Sequence, residues 1–137
     1  MRWLYPILPT LASPAVAAGF LQAPVAPVVG PNWELIDNDG AAKTYIDPAG
    51  SSRHGDLARV RLVSINDEVN FQDVKSALTV VEIDCRAGSG VVIEEGRFRA
   101  DGTQIDGGLV PPEERRTRVA APGSREARLV ARACGSR

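Results

Sequence analysis

The chain has 137 residues, 44% apolar and 24% charged, with 16 basic residues against 17 acidic ones. That length and balance fit one folded domain and exclude a disordered chain. A formal net charge of −1 with 5% aromatics speaks against a nucleic-acid partner, which calls for a basic face with interleaved aromatics.

The first twenty residues, MRWLYPILPTLASPAVAAGF, combine one arginine, an apolar run and the small-residue pattern Ala15-Val16-Ala17. That is how a secretory signal peptide is built, and residues 1–18 are assigned to it. The run from Trp3 to Ala12 is too short to span a bilayer, which takes about 20 apolar residues, so no transmembrane segment is expected after cleavage. No cysteine follows the run, so the expectation is an exported protein of the periplasm or cell surface without a lipid anchor. Residues 19–31 follow as a lead-in whose Pro24, Pro27 and Pro31 favour an extended, polyproline-like tether.

Residues 32–137 form the domain proper. NWELID and KTYID, joined by Asp39-Gly40, read as a hairpin, and PAGSSRHGD as a second loop. In LARVRLVSI, Val60 and Leu62 face one way and Arg59 and Arg61 the other. NDEVNFQDVKS is a polar excursion expected to be mobile. In SALTVVEIDC, Ala77, Thr79, Val81, Ile83 and Cys85 share a face, while Glu82 and Asp84 point away with Leu78 and Val80 and mark the polar side of the sheet. Residues 88–107 read as a long hairpin turning at Asp101-Gly102, with Gly96 as a bulge or bend. A proline-rich connection follows, with a short strand at 116–119.

SREARLVARAC changes period: Ala127, Val130, Ala131 and Cys134 recur at i, i+3, i+4 and i+7, one stripe of a helix, with Ser124 as N-cap and Gly135 beyond the end. Both cysteines thus lie on apolar faces, one of a strand and one of a helix. In an oxidising compartment two cysteines read as a disulfide, Cys85 to Cys134, closing a loop of 48 residues. The expected class is α+β: an antiparallel sheet of about six strands with a C-terminal helix packed on one face and tethered by the disulfide.

His54 in SSRHGD stands near Ser51, Ser52 and Asp56, but six consecutive positions give no base-to-nucleophile geometry, and a solvated turn is expected. Asp37-Asn38-Asp39-Gly40 resembles part of a calcium loop, yet Ile46 occupies the place of the required bidentate glutamate. One histidine and two cysteines cannot close a zinc site unaided, so no metal or cofactor is expected. A carboxylate pair, Glu82 with Glu94 or Glu95, is the remaining catalytic reading, and the chain is expected not to be an enzyme.

Charge is divided by sign. From Arg115 onward seven arginines face Glu126 alone, so residues 18–114 carry about −8. Arg125, Arg128 and Arg132 form a helical stripe expected opposite the apolar one. It either solvates the helix or contacts an anionic partner: a polysaccharide, lipid headgroups or an acidic protein patch.

Several pieces together resemble the surface-adhesin E-like family of small exported bacterial domains. These are Trp33-Glu34-Leu35-Ile36, Thr44-Tyr45-Ile46-Asp47-Pro48, Ala58-Arg59-Val60-Arg61-Leu62-Val63, Val81-Glu82-Ile83-Asp84-Cys85, Pro122-Gly123-Ser124 and Ala131-Arg132-Ala133-Cys134, spanning residues 33–134. The resemblance implies a curved antiparallel sheet with its last helix held by the disulfide, and a non-enzymatic interaction module. Studied relatives are surface lipoproteins that bind host matrix and plasma proteins and self-associate, so a homodimer through exposed sheet edges is one expectation. The expected partner is a protein or an anionic polysaccharide, reached through the arginine stripe and loop 66–76. The alternative is a periplasmic accessory or inhibitor that enters a partner's cleft with residues 101–115.

Overall fold

The computed structural model describes residues 24–135; the signal peptide assigned to residues 1–18 lies outside them. Seven strands and one helix follow in order: β1 (Glu34–Asn38), β2 (Ala42–His54), β3 (Leu57–Asn66), β4 (Ser76–Asp84), β5 (Ser89–Phe98), β6 (Gln104–Leu109), β7 (Thr117–Val119) and α1 (Arg125–Cys134). A single 3-10 turn, Pro112–Glu114, links β6 to β7. All strands belong to one antiparallel sheet in the order β1 to β6, with β7 pairing the first residues of β5 where β6 does not reach.

Short-range chemistry sets the first turn. Asp39 Oδ1 accepts the backbone N–H groups of Ala41 and Ala42 at 2.8 Å each, and Asn38 Oδ1 accepts that of Gly40 at 3.1 Å. Gly40 has φ +86°, a conformation that costs glycine nothing. The stretch expected as a second loop, PAGSSRHGD, is instead mostly strand. β2 continues to His54 through an irregularity between Asp47 and Ser52. Pro48 is tolerated there because β1 has already ended and no ladder partner needs its missing N–H on that side. Arg61 crosses the bulge to pair with Asp47, whose residue exposure is 5%. The Ser51 hydroxyl ties it shut, donating to the Asp47 carbonyl at 2.7 Å and accepting the Arg61 N–H at 3.1 Å. Gly50 lies so close under the Arg61 side chain that a Cβ there would overlap it.

Loop 66–76 is tied down more than its polarity implied. Asn70 Oδ1 accepts the N–H groups of Gln72 and Val74, Asn66 Nδ2 donates to the Val74 carbonyl, and Val74 is buried. The bulge in β5 falls at Ile93, between Val92 and Glu94, rather than at Gly96. Gly96 instead makes room for the Phe98 ring, which would lie 3.1 Å from a Cβ at that position. Of residues 101–115, read as a cleft-entering loop, Gln104–Leu109 are β6, paired to β5, and Pro112–Glu114 the 3-10 turn.

One face of the sheet carries α1. Leu129 packs with Ala58, Val60 and Ile83, and around them lie Ile36, Ile46, Leu62, Val81, Val130, Ala133 and both cysteines. The inward stripe of α1 is therefore Leu129, Val130, Ala133 and Cys134, rotated from the expected one. Ala131 is exposed, because Leu129 has far more apolar surface to remove from water. The helix starts on Ser124, whose side chain accepts the Ala127 N–H at 3.0 Å. Cys134 and Cys85 are joined, with their Cα atoms 5.5 Å apart. The opposite face is not simply the polar side. By alternation it holds Val63, Val80 and Phe98, all buried. The end of the lead-in docks near there: Val25 bridges Thr103, and the Ala26 N–H donates to the Gly102 carbonyl at 2.9 Å.

Two outcomes follow from this packing. Purified exported protein contains no titratable thiol before reduction, and Cys85→Ala and Cys134→Ala each lose about 2–4 kcal/mol in denaturant unfolding; markedly unequal losses would show a second role for one cysteine. Leu129→Ala costs about 2–4 kcal/mol in the same measurement, whereas Ala131→Ser leaves stability within about 0.5 kcal/mol.

Candidate functional site

The helix covers only part of its face. Beside it an open cleft of about 600 Å³ remains over β2 to β5. Its floor alternates aliphatic and hydroxyl residues, Leu62, Val81 and Val92 with Thr44, Ser64 and Thr79. The Thr44 and Ser64 hydroxyls satisfy each other at 2.7 Å. One wall is the first turns of α1, with Arg125, Glu126 and Leu129; the other is segment 110–120, with Arg115, Arg116 and Arg118. The Val110 N–H donates to the Ile93 carbonyl at 2.9 Å, and β7 hydrogen-bonds along β5, so backbone ladders fix the second wall.

The three arginines of that wall share with Arg53, which donates to the Gly55 and Cys134 carbonyls, the lack of a carboxylate partner among the described residues. Arg59, Arg61 and Arg97 in the sheet, and all three of the helical stripe, have a carboxylate partner. Among the described residues Arg115, Arg116 and Arg118 have none. Arg115 Nε donates to the Val110 carbonyl, and an Arg116 terminal nitrogen to the carbonyls of Glu113 and Arg115, all at 3.0 Å. Their remaining guanidinium donors are available, five per arginine in total. Glu95 and Glu114 share the rim, so the cationic side is local to the wall.

The predicted contact residues are placed as follows. Arg125 lines the cleft, 3.6 Å from Glu126. Arg128 and Arg132 reach β1 instead, pairing with Asp37 and Glu34 at 2.6 Å. The stripe thus flanks the apolar one and clamps the helix to the sheet edge, although both arginine side chains stay more than half exposed. Exposed pairs of this kind contribute about 0–1 kcal/mol each. Sequence reasoning missed the wall 110–120; its signal was the run Glu113-Glu114-Arg115-Arg116-Thr117-Arg118 after two prolines.

Ser51 is engaged in the β2 bulge while His54 stands exposed at the end of β2. Glu82 pairs with Arg59 at 3.6 Å. Glu95 pairs in register with Thr79 and projects from the face opposite Glu82, whereas Glu94, in register with Val80, projects from the same face as Glu82. Among the described residues no three His, Cys, Asp or Glu side chains converge as metal ligands do. No helix among those residues is long and apolar enough to cross a membrane.

The Arg132 guanidinium holds the Glu34 carboxyl below its ordinary range, chiefly through the direct hydrogen bond. On acidification the unfolded chain takes up this proton first. The pair's contribution is therefore complete above about pH 4.3 and is lost as pH falls through the lower folded value. Asp106 follows the same rule, held down by Arg97. Unfolding midpoints in urea between pH 7 and pH 3 should fall less steeply for Glu34→Gln than for the natural chain; identical slopes would mean that the pair carries no load.

The sequence profile of the family described as surface-adhesin protein E matches residues 33–135, which takes in every strand and the helix. No curated protein sequence matches significantly. Among solved structures, crystal form II of Haemophilus influenzae protein E aligns with a TM-score of 0.58 at 13% identity, covering 82% of this chain and 94% of that one. The selenomethionine form of the same protein gives 0.52 at 13% identity over 81% and 95%, and a further structure of it gives 0.51 at 14% over 80% and 92%. At such identities the structural likeness speaks for the fold alone. With the profile spanning the whole sheet, the helix and both bridged cysteines, the chain belongs to the surface-adhesin protein E family.

Proposed function

We propose that this chain is an exported, non-enzymatic interaction module of the cell envelope, in the periplasm or at the surface, that recognises an acidic protein surface or an anionic polysaccharide. The observation that carries the reading is the cluster of Arg115, Arg116 and Arg118, without carboxylate partners among the described residues, facing Arg125 across an open cleft. Paired arginines add little to an outside field, because a carboxylate within hydrogen-bond reach offsets each one. The unpaired wall therefore contributes most, and Arg128 and Arg132 extend it more weakly along the helix. Family membership supports an adhesin-like role for the module. Phe71, 96% exposed at the tip of loop 66–76, offers an apolar anchor on a second surface.

Heparin serves as a generic anionic probe. The natural chain should bind immobilised heparin and elute with salt, because exposed charges are screened within about 10 Å at 0.1 M. The triple variant Arg115→Ala/Arg116→Ala/Arg118→Ala should elute at clearly lower salt, and Arg128→Ala/Arg132→Ala should shift elution less. Equal elution of all three proteins would reject the wall as the contact surface.

A further inference from the structure

The cleft holds more than charge. Aliphatic side chains of Ile36, Leu62, Val81, Val92, Val110 and Leu129 line it, and no aromatic residue among the described ones does. On β7, at its rim, Val119 is 75% exposed. A polysaccharide makes little use of an aliphatic floor, and sugar rings favour aromatic platforms of the kind this cleft lacks. A volume of about 600 Å³ lies within the usual range for small-molecule sites, roughly 300–1,000 Å³. We propose that the cleft binds a free single-chain anionic amphiphile, with its acyl chain on the aliphatic floor and its carboxylate on Arg115, Arg116 and Arg118.

Two independent features fit that occupant. An acyl chain gains by leaving water in proportion to the apolar area it covers, and the floor between α1 and segment 110–120 offers such area. A carboxylate accepts paired N–H donors from guanidinium groups in a fixed geometry, and the wall supplies guanidinium donors that no protein carboxylate takes among the described residues. The Thr44 and Ser64 hydroxyls do not oppose the chain, since they are already bonded to each other. Glu95 and Glu114 at the rim disfavour a second negative group, which selects a singly charged head. The inference rests on the cationic wall being the recognition surface and adds a small ligand of its own chemistry.

The test is calorimetric titration of the exported, disulfide-intact protein with sodium dodecanoate below its micelle threshold. One saturable site per chain is expected, weakened at least tenfold in Arg115→Ala/Arg116→Ala/Arg118→Ala. Dodecyltrimethylammonium, with the same chain and the opposite charge, should bind at least tenfold more weakly to the natural protein, a comparison that needs no variant to fold. Val92→Asn, which makes the floor polar without adding charge, should weaken dodecanoate binding at least tenfold. Equal binding of the two amphiphiles, unaltered affinity in the arginine variant, or association only with phosphatidylglycerol vesicles would overturn the proposal. Dodecanoate failure with intact heparin binding removes the small ligand and keeps the interaction module; failure of both removes both.

Discussion

The docking of one short helix decides the architecture. α1 has ten residues, too few to persist alone in water, where helices under about 12–15 residues are marginal. Its stability comes from the sheet, through Leu129 seated on Ala58, Val60 and Ile83. In return it removes from water one end of a sheet face that would otherwise be exposed. The disulfide at its last turn keeps this exchange local, because Cys85 lies just past β4, beside Ile83. With the helix pinned at one end and flanked by ion pairs to β1, the rest of the face stays open. The cleft is the remainder of a sheet that its helix is too short to cover.

How far this was legible depended on the kind of signal. Alternation placed Val60, Leu62, Ile83 and Cys85 on one face correctly, because the β3–β4 ladder is regular throughout. Where a ladder is irregular, period-2 reasoning lost its phase. The bulge at Ile93 moved away from the glycine that seemed to announce it, and Pro48 hid a continuing strand that only an unpaired edge permits. The helix was recognised from its cap and its period, yet its buried stripe was rotated. Spacing alone does not rank Ala131 against Leu129, whereas burial does.

The site was half legible for a related reason. The arginine surplus after residue 114 is a property of composition and was readable at once. Which arginines remain unpaired depends on acidic residues up to 98 positions away, as Glu34 and Arg132 show. No local pattern reports that separation. Arg128 and Arg132 are an exposed stripe that also pairs with β1, while Arg115, Arg116 and Arg118, read as part of a connector, line the cleft. The opposite face is mixed: Leu78 and Val80, placed there by alternation beside Glu82 and Asp84, are joined by the buried Val63 and Phe98.

The attachment of the lead-in has a mechanical meaning. Its hold on the β5–β6 turn is a single bridge, Val25 with Thr103, and one backbone hydrogen bond, Ala26 to Gly102. That turn lies at the end of the sheet remote from the Cys85–Cys134 bond. Tension on the chain ahead of residue 24 meets these isolated contacts first and opens them one at a time, before any ladder of the sheet bears load. Residues 24 to 33, once released, span at most about 30 Å as extended chain. The domain can therefore yield under a pull by lengthening its tether, with the sheet, the helix and the cleft unaltered in shape.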